Sequence, residues 1–181
     1  MRKPVIVLAA VALVLATAAS ASAHTFTIRG DWKMGPFLVK RDGTLRGAID
    51  AFGTPGDRDR RAGGAACVVR WPRHGLRIHF YNLGGHNACR PAHGFFSHAR
   101  ARGPHWETGR GLEIGDRQRR LKSLYPNARY RPAEPGFWPA GWWLVRRSSP
   151  VGAGDHYPGL LATVEDRHVK AFHVRYPAGG D

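Results

Sequence analysis

The feature that most constrains this chain is its amino-terminal segment, which has the three parts of a secretory signal peptide. Arg2 and Lys3 precede an apolar run from Pro4 to Ala18, and the small-residue triplet Ala21-Ser22-Ala23 follows. A segment of this kind is removed on export and is too short for a convincing membrane span. We therefore expect residues 1–23 to be a signal peptide, and the remainder to be a secreted or envelope protein without a membrane span.

The exported part has the size of one domain or of two small units that share a core. Removing 23 of the 181 residues leaves 158. Loss of Arg2 and Lys3 leaves 26 basic residues against 13 acidic ones, a formal charge of +13 with the histidines neutral. This excess favours anionic partners such as envelope polymers, lipid headgroups or acidic proteins. The alternative is an arginine-rich composition that sets only solubility and nonspecific binding.

The two cysteines, Cys67 and Cys89, both lie in the exported part. In an oxidising compartment we expect them to form a disulfide, whose loop of roughly 20 residues would contribute about 3 kcal/mol to stability. An alternative groups Cys89 with His86, His93 and His98 as a metal site, because thiolate and imidazole are ordinary ligands of zinc and copper. The two interpretations compete for Cys89.

The first half of the exported part predicts a helix followed by a hairpin. Apolar residues recur at spacings of three and four between Leu45 and Phe52, which predicts a helix capped by Asp42 or Thr44. The apolar runs 66–71 and 76–82 flank Pro72-Arg73-His74-Gly75, which predicts two antiparallel strands and a turn.

Three other stretches of this half have weaker patterns. We expect a short strand at residues 35–39 and a basic loop at residues 56–64. The glycine-rich and histidine-rich stretch 83–110 shows no clear period, so we expect loop or short edge strand there.

The second half repeats this order of elements. A turn and cap at Gly115-Asp116 precede a predicted helix at residues 117–125, and three strands are predicted at 142–147, 160–165 and 169–176. A shift of 72 residues places Ile49 on Leu121. We predict an α+β fold of two tandem helix-plus-antiparallel-sheet units, residues 24–105 and 106–181. The alternative is two unrelated α+β units on one sheet.

A family resemblance rests on the second half. Residues 111–116, Gly-Leu-Glu-Ile-Gly-Asp, precede Leu121, Leu124 and Tyr125-Pro126, and the strand-forming segment 157–162 follows later. This pattern resembles an element of small exported bacterial proteins with a fold like the β-lactamase inhibitor protein, and of the SmpA/OmlA outer-membrane lipoprotein group. The resemblance implies a protein that binds other protein surfaces. It carries no binding residue over, because the matched positions form the fold.

No catalytic motif of comparable specificity is present. The exported serines lie outside any G-x-S-x-G element, and the glycines lack the spacing of a nucleotide-binding loop. Cleavage after Ala23 would leave His24 at the amino terminus, where its amine and ring nitrogen can chelate copper with a second histidine. We predict a non-enzymatic binding protein without a cofactor. The alternative is a secreted metal-dependent enzyme that uses a histidine site.

An aromatic and basic cluster is the best candidate for a binding surface. It consists of Trp138, Trp142, Trp143, Arg146 and Arg147, with Phe137 beside it. Successive strand residues face opposite ways, so Trp142 and Trp143 enter one core only if both sheet faces are covered. An exposed tryptophan beside arginines would bind a protein or an anionic polymer by stacking and charge, whereas the alternative is that both indoles pack inside. No nucleic-acid-binding module accompanies the basic residues, so we expect no specific nucleic-acid binding.

Overall fold

The computed structural model describes residues 25–148 and 156–176. The predicted signal peptide, residues 1–23, and His24 lie outside these residues. The signal peptide and the copper-binding amino terminus therefore stay predictions. Within the described ranges, no helix combines the length and the apolar character that a membrane crossing requires.

Within the described residues, twelve strands in two sheets outnumber the helices, which are few and short. The strands are β1 (Phe26–Arg29), β2 (Lys33–Met34), β3 (Phe37–Leu38), β4 (Asp57–Arg61), β5 (Ala66–Trp71), β6 (Leu76–Tyr81), β7 (Phe95–Ala101), β8 (Trp106–Thr108), β9 (Arg129–Arg131), β10 (Gly141–Ser148), β11 (His156–Glu165) and β12 (His168–Arg175). The α-helices are α1 (Val39–Asp42), α2 (Leu45–Phe52) and α3 (Gln118–Leu124), and two 3₁₀ turns occupy Ala62–Gly64 and Pro72–His74. The fold is therefore mostly β and belongs to the broad α+β class that the sequence predicts.

The larger sheet has eight strands in the order β4-β5-β6-β7-β12-β11-β10-β9, and every neighbouring pair in it is antiparallel. The smaller sheet has the order β3-β2-β1-β8, in which β1 and β8 run parallel. Strand β7 pairs with β6 on one side and β12 on the other, so it joins the two halves of the chain in one sheet.

Helix α2 confirms the first predicted helix and its cap. The Thr44 side chain accepts the Gly47 backbone N–H at 3.1 Å, which satisfies one of the unpaired donors of the first turn. Leu45, Ala48 and Phe52 are buried along one face. The helix ends at Gly53, whose φ of 77° favours glycine.

The predicted hairpin is also confirmed, as strands β5 and β6. Its inward side chains alternate with polar ones on β6, where Leu76, Ile78 and Phe80 are buried. A disulfide links Cys67 of β5 to Cys89 in the following loop, as predicted. The bond fastens that loop to the sheet.

Helix α3 lies where the sequence predicts a second helix, and Leu121 is its buried residue. The predicted Asp116 cap is wrong, because Arg117 precedes the helix and makes no side-chain cap hydrogen bond. The Asp116 carboxylate instead accepts the Glu113 backbone N–H at 2.8 Å and pairs with Arg120 at 3.0 Å. It stabilises the turn before the helix.

Several predictions about loops and strands are wrong in instructive ways. The basic stretch 56–64 contains β4, an edge strand whose charged side chains are mostly exposed. The stretch 83–110 contains β7, a central strand. The β6–β7 register shifts between His79 and Phe80 of β6. The buried β7 residues Phe96 and Ala99 are therefore three apart, which hides the period of two in the sequence. Only Phe37–Leu38 of the predicted strand 35–39 is a strand, because α1 begins at Val39.

Strands β10, β11 and β12 form the predicted carboxyl-terminal part of the sheet, although β11 begins at His156 rather than at Leu160. The β11–β12 turn places Asp166 at φ 50° and Arg167 at φ 62°. Two left-handed residues suit the twist of a hairpin but are usually asparagine, aspartate or glycine. Arg167 is therefore an unusual residue for its position.

The hydrophobic core lies between one face of the larger sheet and the cover formed by the smaller sheet and the helices. Ile78, Ala99 and Val174 belong to the sheet side, and Ile28 of β1 belongs to the cover. The Trp106 indole N–H donates to the His74 carbonyl at 2.6 Å within this core. The same cluster contains residues from both predicted units, and the tandem arrangement and its boundary at residue 105 remain predictions.

Candidate functional site

The opposite face of the larger sheet carries a row of basic side chains from three neighbouring strands. Pairing aligns Arg77 of β6 with Arg100 of β7 and His173 of β12. In the next row it aligns His79, His98 and Arg175. These six residues line a cavity of about 270 Å³, which we call the basic groove.

Local sequence explains why each strand contributes two groove residues. In β6, burial of Leu76 and Ile78 on the core side turns Arg77 and His79 to the groove side. Strands β7 and β12 likewise place a histidine and an arginine two residues apart on the groove side. The bulge in β7 lies between His98, which pairs with His79, and Phe96, which pairs with Phe80. Beyond the bulge, Arg100 lies opposite Arg77.

Phe137 and Trp138 form an aromatic wall at one side of the groove. The Arg175 guanidinium carbon lies 5.8 Å from the Phe137 ring centroid and 5.7 Å from the Trp138 ring centroid. One Arg175 N–H also donates to the Phe137 carbonyl at 3.2 Å. The Trp138 ring meets Trp143 edge-on, with ring centroids 5.4 Å apart. Arg175 thus ties the wall to the sheet.

Four nitrogen atoms beside the groove are buried without a hydrogen-bond partner among the described residues. They are Arg77 Nε, Arg100 Nε, His173 Nε2 and Trp143 Nε1. All four belong to one row across strands β6, β7, β12, β11 and β10, in which Leu161 of β11 lies between His173 and Trp143. Three of them are donors, and the His173 nitrogen donates or accepts according to its tautomer. A buried donor left without a partner costs about 1–3 kcal/mol, so this row needs an explanation.

The groove also differs from the neighbouring end of the same row. Arg70 of β5 lies next to Arg77 and forms salt bridges with Asp57 and Asp59. Among the residues described, by contrast, neither Arg77 nor Arg100 forms a salt bridge, and the groove lining contains no aspartate or glutamate. These two guanidinium groups therefore have no carboxylate partner among the described residues.

The groove imidazoles are neutral at neutral pH. Burial, reinforced by the nearby guanidinium groups, lowers the pKa of His79 to about 4. Burial likewise lowers the pKa of His98 and of His173 to about 3, with neighbouring arginines and histidines adding to the effect. The positive charge of the groove therefore resides on its arginines, while each neutral imidazole offers one donor and one acceptor nitrogen.

The predicted aromatic and basic surface is divided between the two faces of the sheet. Trp138 lines the groove and Trp143 packs behind it. Trp142 lies on the other face, against Tyr130 at 5.9 Å and below the Lys122 ammonium at 5.2 Å. The five predicted residues are thus not one surface.

The two predicted arginines also separate from the groove tryptophans. Arg147 pairs with the buried Asp31 through hydrogen bonds of 2.8 and 2.7 Å, which fastens β10 to the segment after β1. Arg146 lies exposed on β10. Arg147 therefore has a structural partner, and the groove arginines are different residues.

The histidines of the alternative metal site lie in two separate pairs. His86 stacks on His93 at 4.5 Å, whereas His98 stacks on His79 at 4.1 Å inside the groove. Cys89 is consumed by the disulfide, so it has no thiolate to offer. The described part of the chain contains no group of three or more histidine, cysteine, aspartate or glutamate side chains that could hold a metal ion.

Sequence reasoning missed the groove, although a signal for it exists. A basic residue is followed two positions later by another in Arg77-Ile78-His79, His98-Ala99-Arg100 and His173-Val174-Arg175. The repeated pattern indicates three strands with a basic outer face. It does not say that the third strand pairs with the second.

Comparisons of this chain with protein-family models, with curated proteins and with solved structures found no match. The resemblance to inhibitor-like and SmpA/OmlA-like proteins therefore remains a prediction.

Proposed function

We propose that this protein is an extracytoplasmic, non-enzymatic binding protein that captures an anionic ligand in the basic groove. The observation that carries the proposal is the row of buried nitrogen atoms without partners, two of which are the Nε donors of Arg77 and Arg100, arginines that have no carboxylate partner among the described residues. An anion supplies the acceptors that these donors lack. Charge-assisted hydrogen bonds from guanidinium groups are also stronger than neutral ones.

The shape of the groove favours a small acidic group or the repeating unit of a polymer over a flat protein surface. A volume of about 270 Å³ is at the small end for ligand sites, and a standard protein interface instead spans many residues on each side. The whole chain carries a formal charge of +15, which attracts polyanions over long range. An anionic envelope polymer is therefore the partner that we favour over an acidic protein.

Two features support placing this activity outside the cytoplasm. The leader has the composition of a signal peptide, and the disulfide between Cys67 and Cys89 is of the kind that persists in oxidising compartments. Polymers of the cell envelope, many of which carry acidic groups, are available there.

A pair of charge-matched variants tests the proposal. Arg77→Gln/Arg100→Gln removes two positive charges from the groove, and Arg117→Gln/Arg119→Gln removes two from the exposed face at α3. We expect the groove variant to weaken binding to a sulfated glycan at least about tenfold by calorimetry at fixed salt, and the control to change it about twofold. Equal losses in both variants would mean that the groove is not a site. Loss in the helix variant alone would place the site on α3.

Two further results would contradict the proposal. An acidic protein that binds the groove more tightly than any polyanion would replace the polymer by a protein partner. Tight stoichiometric zinc or copper in the purified protein, with turnover of a substrate, would replace binding by the enzyme alternative.

A further inference from the structure

The groove contains three kinds of side chain, and each kind is suited to bind a different part of a ligand. Arg77 and Arg100 can only donate hydrogen bonds, so they require an atom that only accepts. An ionised carboxylate or sulfate meets this requirement without bringing a proton that would need an acceptor. Donors from adjacent strands lie about 5 Å apart, which concentrates them on one oxyanion.

The neutral imidazoles ask for something else. Each neutral ring has one nitrogen that donates and one that accepts, which is the complement of a hydroxyl group. In His98 the Nδ1 atom lies 3.1 Å from the Ser97 hydroxyl oxygen, so its Nε2 atom is left for a ligand. His79 stacks against it at 4.1 Å and presents a second ring at the same place. Hydroxyl groups next to the oxyanion of a ligand would form hydrogen bonds with both imidazoles.

The aromatic wall supplies the third requirement, an apolar face. Phe137 is 58% exposed and Trp138 is half-buried, and both line the groove. The C–H face of a sugar ring packs on aromatic rings of this kind, while its hydroxyls remain at the edge for hydrogen bonds. A bare inorganic anion has no group that would contact this wall.

We propose that the basic groove binds a single acidic sugar residue of an anionic glycan. Its carboxylate or sulfate lies against Arg77 and Arg100, its hydroxyls lie at the imidazoles of His79 and His98, and its ring packs on Phe137 and Trp138. This proposal rests on the proposed function and names its ligand class. Carboxylated and sulfated sugars share the chemistry, and the probes below separate them.

The test compares small probes that each lack one feature. Glucuronate and glucose 6-sulfate have ring, hydroxyls and oxyanion, inorganic sulfate has only the oxyanion, and glucose lacks it. We expect one of the two acidic sugars to bind the purified protein at least about tenfold more tightly than sulfate or glucose, measured by calorimetry or by saturation-transfer NMR. The better of the two identifies the oxyanion.

Variants test whether the aromatic wall accounts for the tighter binding of the acidic sugar. Trp138→Ala should remove most of the preference for the acidic sugar over sulfate while sulfate still binds, and Trp138→Phe should retain it. Tyr130→Ala is the control, because Tyr130 is an exposed aromatic residue that lies against Trp142 on the other face. It should leave both affinities unchanged. Circular dichroism confirms that each variant is folded.

The outcomes separate this inference from the proposed function. Sulfate and sulfated polymers that bind in the groove, with no gain from a sugar ring, would overturn the acidic-sugar inference alone. Preference for a single-stranded oligonucleotide over every acidic sugar would assign the wall to base stacking and also overturn it. Failure of all anions to bind would overturn both.

Discussion

The two faces of the eight-stranded sheet use the same strands for opposite purposes. Ile78, Ala99 and Val174 on one face are fully buried in the core, whereas their neighbours Arg77, Arg100 and His173 on the other are partly buried around the groove. The core face satisfies its groups by packing. The groove face leaves donors without partners, at about 1–3 kcal/mol each. Alternate positions along one strand therefore separate the residues that pack the core from those of the proposed binding site.

Truncating one residue on each face of the same strand tests this separation most directly. Phe172 and His173 are adjacent in β12, and Phe172 is fully buried. We expect Phe172→Ala to lower the free energy of unfolding by about 3–5 kcal/mol, because it removes a large core side chain and leaves a cavity. Urea denaturation followed by circular dichroism measures the change.

The groove-side partner of this experiment should behave differently. His173→Ala removes a desolvated imidazole whose Nε2 atom has no partner, so we expect a change of less than about 1 kcal/mol. Anion binding should weaken in this variant, whereas Phe172→Leu should retain it. A loss of stability as large as that of Phe172→Ala would show that the two faces are not separable.

A second prediction concerns the pH dependence of the groove face. Without a ligand, the pKa values of His79, His98 and His173 are about 4, 3 and 3, below the ordinary 6.5. The hydroxyls of the proposed ligand bind neutral imidazoles, and Arg77, Arg100 and Arg175 on the same strands oppose protonation of these rings. We therefore expect affinity for an acidic sugar to change less than about twofold between pH 7 and pH 5, with little proton uptake on binding. Calorimetry in buffers of different ionisation enthalpy measures both quantities, and an affinity that rises about tenfold toward pH 5 would place the oxyanion at the imidazoles instead.

The stability of the free protein should instead depend on pH. The unfolded chain protonates its histidines near pH 6.5 while the folded groove does not, so the unfolded state binds more protons and unfolding becomes easier as the pH falls toward 4. Urea denaturation at pH 7 and pH 5 measures this loss of stability, and His79→Asn/His98→Asn should reduce it. An equal loss in the variant would contradict the assignment of the effect to the groove imidazoles.

The sequence was sufficient for elements whose signals are local. The spacing of Leu45, Ala48 and Phe52 defines α2, and the alternation in β6 defines one hairpin strand. The cysteine pair was predictable because two cysteines allow one pairing. Strand β7 was not, because its bulge hides the period of two.

The candidate site was predictable only in part, because it depends on long-range pairing. Trp138 was identified from its place in an aromatic cluster of the sequence, but its arginine partners were expected nearby in the sequence, at Arg146 and Arg147. The structure places Arg175 against Trp138, and Arg147 against Asp31. Arg175 reaches Trp138 because β12 pairs with β7. No local sequence pattern encodes that pairing.

The turn that joins β11 to β12 belongs to neither face of the sheet, so substitutions there should change stability only slightly and leave binding unchanged. Arg167 lies at φ 62°, where a side chain costs about 1 kcal/mol relative to glycine, so Arg167→Gly should raise the free energy of unfolding by about 0.5–1 kcal/mol. Lys170→Gly, in the extended strand β12, should lower it by a similar amount and is the matched control. Anion affinity should be unchanged in both. If affinity instead follows stability in this pair, binding reports the folded fraction, and losses in groove variants cannot be assigned to contacts on one face.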